Sequence, residues 1–509
     1  MSFEPNTYQE AIFEWIRTGT GNAVVGALAG TGKTTTNVEA LSVIPKNQSV
    51  LMTAFNKHIQ VEMEKKAPDH IKVQTLHSLG LGAISSFNHG FPTVDANKVQ
   101  KIFNQVVRSR DDKVSELMKK YENEINTEKK KKISDQIIEV NPLSKSFQQD
   151  IFAPVLKIVS LLKATMLPVN MDSINTLIHK HDISASCDSK EILSVIDEIM
   201  MINLQSTTVV DFDDMIYLPV MRAMPTKKYD WVLIDECQDI SKSQLFLTLK
   251  CLKETGRLLA VGDEFQAIYG FRAADPDAVQ TIIKMTKANV MPLSICYRCP
   301  TSHIELAKRF VPSIEAVPNA SKGAVIPIAT SELIDYIKPG DICICRNNAP
   351  LVSPAFTLLR NGVKVVIKGQ DIGVGLISLI KKLKANSLSQ LEDRLELWME
   401  EESVKAQRKH KSIDSIMDKY NCLLAFTDSV DRIQDLTPYI KQLFSDDNGE
   451  VTFSSIHRAK GLEADNIFFL KPSLIPSPYA SQPWEMQQER NCYYIAVTRA
   501  KQNLFMVED

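Results

Sequence analysis

The chain has 509 residues, 44% of them hydrophobic and 24% charged; that balance supports several buried cores and excludes a mainly disordered chain, and at about 150 residues per domain the length points to roughly three or four domains. Basic side chains number 59 against 61 acidic ones, a formal net charge of −2, so no global positive field draws in a polyanion and any nucleic-acid binding has to be local. Nine cysteines without dense regular spacing exclude a disulfide scaffold, and the sequence shows neither a leader pattern nor an uncharged apolar run of about 18 residues; the expected location is the cytoplasm, or the nucleus in a eukaryote, with no membrane partner.

Short apolar, β-branched runs bounded by turn residues occur at 23–25, 50–53, 231–234, 258–261, 341–345, 363–367 and 467–470. They read as buried parallel strands, and the helix-length patterns between them are the alternation of a doubly wound α/β sheet. The first run leads into Ala27-Leu28-Ala29-Gly30-Thr31-Gly32-Lys33-Thr34-Thr35. Glycines at 30 and 32 let backbone N–H groups, including those of Ala29, Thr31 and Thr35, curl around phosphate oxygens. Lys33 adds a mobile positive charge, and the Thr34 hydroxyl is a Mg²⁺ ligand. The strict phosphate-loop pattern has glycine where Ala27 stands, but the groups that act on phosphate are kept. Such a loop predicts a second strand ending in an acidic pair, and Trp231-Val232-Leu233-Ile234-Asp235-Glu236 supplies it. There Asp235 holds the Mg²⁺ through its water shell, and Glu236 orients or deprotonates the attacking water.

Two stretches break the strand rhythm. Residues 85–205 carry long helical patterns and the run Glu128-Lys129-Lys130-Lys131-Lys132, which reads as a solvated helix face; residues 381–444 are again amphipathic and charged. The expected fold class is α/β: two RecA-like phosphate-loop cores, each with an inserted mainly helical subdomain. In chain order, 1–84 and 206–283 form the first core around the insertion 85–205, and 284–380 and 445–509 form the second around the insertion 381–444.

Further blocks then appear in order. Asp235-Glu236-Cys237-Gln238-Asp239, followed by Val261-Gly262-Asp263-Glu264-Phe265-Gln266-Ala267-Ile268-Tyr269-Gly270-Phe271-Arg272, resembles the UvrD/Rep/PcrA family of superfamily 1 DNA helicases. Asp211-Phe212-Asp213-Asp214-Met215, Tyr297-Arg298, Arg346-Asn347-Asn348-Ala349, Ser454 to Glu463 and Glu489 to Ala500 resemble other blocks of that family. The resemblance runs from Gln9 to Ala500. It implies that Gln9 reads adenine while Tyr297 stacks on it, that Glu463 contacts ribose, and that Gln266 senses the γ-phosphate. It also implies that Arg298 and Arg499 reach the γ-phosphate from the second core, so that ATP with Mg²⁺ opens and closes the cleft. By the same resemblance the segments Thr53-Ala54-Phe55-Asn56-Lys57 and Thr75-Leu76-His77-Ser78-Leu79-Gly80 contact DNA. Aromatic faces with polar or basic neighbours suit sequence-tolerant single-strand binding, so the expected track is Phe55, Asn56, His77, Tyr269, Phe271, Arg272, Asn348 and His457; tryptophan is common in the family where Phe271 stands.

Cys296 and Cys299, with Cys343 and Cys345, superficially form a four-thiol metal set, but they sit on motif residues and on a strand, so buried free thiols are the reading adopted. Only 159 positions separate Arg298 from His457, and nine residues follow Ala500; both point to a minimal helicase. The expectation is an ATP-dependent helicase that moves on single-stranded DNA, 3′ to 5′ by the resemblance, and engages junctions with duplex. The alternatives are an ATP-driven remodeller that strips protein from single strands with little unwinding, and an NTPase without nucleic acid.

Overall fold

The computed structural model describes every residue except 1–2, 55–56, 125, 141–144, 182, 184–188, 269–276, 409–411, 446–448 and 481. Among the described residues two six-stranded sheets form, and all their pairings are parallel. In spatial order the first runs Ile71–Thr75, Val50–Ala54, Tyr229–Ile234, Leu252–Gly262, Ala23–Ala27, Asn289–Leu293. The second runs Ala324–Ala329, Ala500–Glu508, Ala464–Leu470, Ile342–Cys345, Val451–Ser455, Val365–Ile367. The expected α/β class with two sheet cores is present.

All seven apolar runs are strands, and the five other strands of these two sheets carry weaker signals. Asn289–Leu293 and Ala324–Ala329 contain Pro292 and Pro327, and each is the outermost strand of its sheet. Proline lacks the N–H an interior ladder needs, so only an edge admits it. Val451–Ser455 is interior although Ser454 and Ser455 are buried; the Ser454 hydroxyl donates to Ser455 O at 3.1 Å, which satisfies it without a partner strand.

Helices Lys98–Asn123, Thr127–Val140, Lys145–Thr165, Met171–Lys180 and Ser189–Gln205 lie between the first sheet's third and fourth strands in sequence. Their own core includes Phe103, Val155, Val159, Leu162, Ile174, Ile192 and Ile196, and it continues into Ile84 and into Met215 and Leu218 of helix Phe212–Met221. Lys129, Lys131 and Lys132 are exposed, and the Lys130 ammonium lies 4.9 Å from the centre of the Tyr121 ring. In the second half, Leu391, Leu395, Leu423, Phe426, Leu436 and Ile440 share one core with Cys343, Val365, Phe453 and Phe468 of the sheet. The helices from Leu388 to Leu443 therefore fold onto that sheet rather than around a core of their own. No helix among the described residues is long and apolar enough to cross a membrane.

A buried ionic cluster ties the first insertion to its core. Lys163 reaches Asp211 at 2.7 Å and Asp214 at 2.8 Å, Lys98 reaches Asp214 at 2.6 Å, and Asn203 donates to Asp214 at 2.7 Å. Asp211 and Asp214 also form the capping box that starts helix Phe212–Met221. Burial alone would lower the pKa of Lys163, but the two carboxylates outweigh it and hold the ammonium above its ordinary value. Removing one partner from such a cluster leaves an uncompensated buried charge, so Lys163→Met is expected to destabilise the protein by about 3–5 kcal/mol, to be read from denaturant unfolding.

Candidate active site

The first sheet's strands carry their loops at the C-terminal edge, where an open parallel α/β sheet presents its ligand site. Strand Ala23–Ala27 runs into the phosphate loop, and helix Lys33–Val43 begins immediately after it. Gly30 and Gly32 lie in the left-handed region, at φ 69° and 80°, which folds the loop back over the helix N-terminus. Gly30 has a second constraint. A Cβ there would fall 2.7 Å from both Arg298 Cβ and Cys296 Sγ, so only glycine lets the loop meet the arginine segment, and Tyr297 N–H donates to Gly30 O at 2.9 Å.

Lys33, Thr34 and Thr35 line a cavity of about 1100 Å³, together with Gly30, Asp235, Glu236 and Gln266. Its opposite wall is Tyr297, Arg298, Lys460, Glu463 and Arg499. Helix Lys33–Val43 places Asn37 one turn beyond Lys33, and its amide donates to Asp235 at 3.0 Å. Glu236 holds a left-handed conformation at φ 50°, a strain of about 1–3 kcal/mol that aims its carboxylate, which accepts a hydrogen bond from Gln238. The two acids titrate as a pair. Burial and then the Glu236 charge push Asp235 up to about 7. Burial pushes Glu236 the same way, but Lys33, Lys460, Gln238 and Arg499 outweigh it and bring Glu236 down to about 2.

Near the phosphate loop and acidic pair, side chains of the second half cross to the first. Tyr494 accepts from Ala29 N–H at 2.9 Å and donates to Asp263 at 3.4 Å. Lys460 bonds Asp239 at 2.5 Å and Gln266 O at 2.9 Å. Asn491 donates to Ala267 O at 2.9 Å. Arg499, only 2% exposed, donates to Gln266 Oε1 at 3.4 Å, and Gln266 in turn donates to Asp263 at 2.6 Å. Burial lowers Arg499 to about 10 and raises Asp239 to about 6, so the arginine remains a cation at neutral pH.

A nucleotide carrying Mg²⁺ fits this donor set. Asn37 Oδ1 and Asp239 Oδ1 are buried without a hydrogen-bond partner among the described residues, acceptors that a hydrated cation's waters can satisfy, and the loop N–H groups and Lys33 match phosphate oxygens. Gln9 is buried; its amide donates to Thr36 at 2.9 Å and its carbonyl oxygen accepts from Asn6 N–H. Asn6 also donates to the Tyr297 hydroxyl at 2.9 Å, so Gln9 and the 49%-exposed Tyr297 ring are tied to the same cavity. Arg298 and Glu463 are paired at 2.6 Å, and Lys501 reaches Glu463 at 2.8 Å.

A family model described as the UvrD/REP helicase N-terminal domain matches residues 8–287, and one described as the UvrD-like helicase C-terminal domain matches residues 450–507. The chain belongs to the UvrD-like family of superfamily 1 helicases. F-box DNA helicase protein 1 of Schizosaccharomyces pombe is 23% identical over 95% of this chain and 55% of its own length. A probable DNA helicase of Mycoplasma pneumoniae is 25% identical over 55% of this chain and 44% of its own. The ATP-dependent DNA helicase Rep of Escherichia coli is 35% identical over 14% of this chain and 12% of its own. The chain thus spans about half the length of the fission-yeast relative.

Of the residues expected on a DNA track, the described ones, His77, Asn348 and His457, do not line this cavity. His77 lies in the first turn of helix Leu76–Asn88, half-buried and edge-on to the exposed Phe212 ring at 6.3 Å. Burial lowers its pKa, against the pull of Asp213. The Asn348 amide and backbone N–H both donate to Asp418, at 2.7 and 2.9 Å. His457 lies 3.7 Å from Cys492 Sγ and lines a smaller cavity with Arg346, Tyr479 and Trp484. Phe55, Asn56, Tyr269, Phe271 and Arg272 lie outside the described residues. The eight cysteines described are free and buried, and no group of three or more metal-ligating side chains forms among the described residues.

Sequence reasoning did not single out Asn37, Asp239, Lys460 or Tyr494. Asn37 was within reach, since it shares the helix face of Lys33; the others gain their roles only across the cleft. Tyr494→Phe strands the Ala29 N–H without its acceptor, and unfolding in denaturant should show a loss of about 1–3 kcal/mol.

Proposed function

We propose that the chain is an ATP-dependent motor on single-stranded DNA that unwinds duplex ahead of it in the 3′ to 5′ direction. The observation that carries this reading is the composite cavity: the phosphate loop and acidic pair come from one sheet, while Arg298, Lys460 and Arg499 come from the other. Hydrolysis in such a site depends on closure, so nucleotide state becomes relative motion of the two cores.

In this scheme Lys33 and the loop N–H groups bind the β- and γ-phosphates, and Thr34 and Asp235 hold Mg²⁺, which when bound neutralises charge on those phosphates. Glu236, held ionised by its cationic neighbours, accepts the proton of the attacking water. Arg499 and Arg298 stabilise the charge that grows on the transferred phosphoryl group. For Arg298 this requires exchanging Glu463 for phosphate, and Glu463 then becomes free for ribose. Gln266 bonds both Arg499 and Asp263 and stands one residue before the segment Ala267 to Arg272, so it couples phosphate state to the strand-binding side. His77, Phe212 and the aromatic residues of the motif blocks supply stacking faces, with Asn348 and His457 on the second core.

Arg499→Ala should leave ATP binding nearly intact and slow hydrolysis by about 10³-fold or more; unchanged turnover would remove it from the active site. Glu236→Gln should trap ATP unhydrolysed, as single-turnover assays would show. Oligo-dT should strongly stimulate ATP turnover, and duplexes with a 3′ tail should open while those with a 5′ tail do not.

A remodeller that strips protein from single strands is the second reading, favoured by the helices Leu388–Leu443 sharing the core of the second sheet. Stimulation by oligo-dT with displacement of bound protein but no strand separation would select it, and turnover indifferent to DNA would refute both.

A further inference from the structure

The segment Cys296-Tyr297-Arg298-Cys299 holds two thiols that phosphoryl transfer does not use. They bracket one of the two arginines of the site. Cys299 N–H donates to Cys296 Sγ at 3.4 Å, while the Cys299 thiol points to Thr498 O at 3.5 Å. Arg298 donates to that same carbonyl at 3.2 Å, so the arginine and the second thiol share an anchor next to Arg499. Cys296 Sγ packs directly behind Gly30, at the position where a side chain on that residue would stand.

We propose that Cys296 and Cys299 are a peroxide-oxidisable dithiol, whose reversible disulfide withdraws Arg298 from the cleft and slows ATP turnover. The spacing of two intervening residues brings the sulfurs within reach of each other, as in redox-active C-x-x-C pairs. The two thiols are also chemically unequal. The neighbouring Cys299 side chain, with the N–H groups of Cys299 and Arg298 and the Arg298 charge, lowers Cys296 against the opposing effect of burial, whereas Cys299 is raised. One member is therefore an attacking thiolate and the other a resolving thiol.

The chemistry balances with hydrogen peroxide as oxidant. The Cys296 thiolate attacks one peroxide oxygen, the O–O bond breaks, and hydroxide leaves and is protonated to water, giving a sulfenic acid. The Cys299 sulfur then displaces its hydroxyl as a second water, losing the thiol proton as the S–S bond forms. Two thiols and one peroxide become one disulfide and two waters. Bond formation requires a sulfur separation near 2.05 Å, so Cys299 must leave Thr498 O and the backbone of Arg298 must move with it. Both sulfurs are buried in the closed cleft, and the cover over Cys296 is a glycine of the opposite core. Access therefore comes with cleft opening, a step that rests on the motor reading above.

The test treats reduced full-length protein with hydrogen peroxide, then with dithiothreitol, and follows peptide masses and oligo-dT-stimulated ATP turnover. The peptide containing positions 296 and 299 should lose two hydrogen masses, turnover should fall by about tenfold or more, as expected when a phosphate-facing arginine is displaced, and both should recover on reduction. Cys299→Ser should turn over like the wild type beforehand and show no dithiothreitol-reversible inhibition. Absence of the cross-link, a cross-link without loss of turnover, or reversible inhibition persisting in Cys299→Ser would overturn the proposal. Reduced protein that hydrolyses no ATP would instead refute the motor reading, and the mass difference alone would then decide the dithiol.

Discussion

The polar contacts across the cleft are the interaction on which the rest of the structure depends. Tyr494, Asn491, Lys460 and Arg499 reach from the second half onto Ala29, Ala267, Asp239 and Gln266 of the first. Each is buried or half-buried, where a satisfied hydrogen bond is strong and an unsatisfied one is expensive. The partners include a lysine, an arginine and a carboxylate, which water solvates well once the cleft parts. In the motor reading proposed above, such an interface suits two states, fully closed or wet, with little between.

The apolar packing is arranged around that requirement. One cluster joins Leu28, Ala29 and Ile268 of the first half to Ile344, Phe469, Tyr494 and Ala496 of the second, so the phosphate loop sits on a shared core rather than at a free surface. Close approach there is possible because position 30 has no side chain. The helical additions, by contrast, are each fastened within their own half: the first through Lys98 and Lys163 to Asp211 and Asp214 at the start of helix Phe212–Met221, the second through a continuous hydrophobic core with its sheet. Neither needs the cleft to be closed.

Much of the chemistry was legible in the chain because it rests on local grammar. A β-branched run followed by Gly30-Thr31-Gly32-Lys33-Thr34, and another followed by Asp235-Glu236, each specify a strand, a turn and a ligand in consecutive residues. Strands Asn289–Leu293 and Ala324–Ala329 were illegible because their prolines argue against a strand unless it is known to lie at an edge. Lys460 and Asp239 were illegible for a different reason: 221 positions separate them, and a lysine or aspartate in isolation is ordinarily a surface residue. Asn348 shows the reverse case. Its motif block assigns it to the DNA side, and the fold also gives its amide to Asp418.

By itself the sequence determined the two-sheet α/β class, the phosphate-binding loop and its acidic partners, and the family through the order of its motifs, since these are encoded by spacing and periodicity over a few residues. Tertiary structure alone decided which charges meet across the cleft, that Glu236 is held ionised while Asp235 shares the burden of burial, that the second helical insertion has no separate core, and that Cys296 packs behind Gly30. The division has one physical cause. Backbone geometry and side-chain period are local properties of the chain, whereas the electrostatic state of a buried group is set by neighbours that only folding brings together.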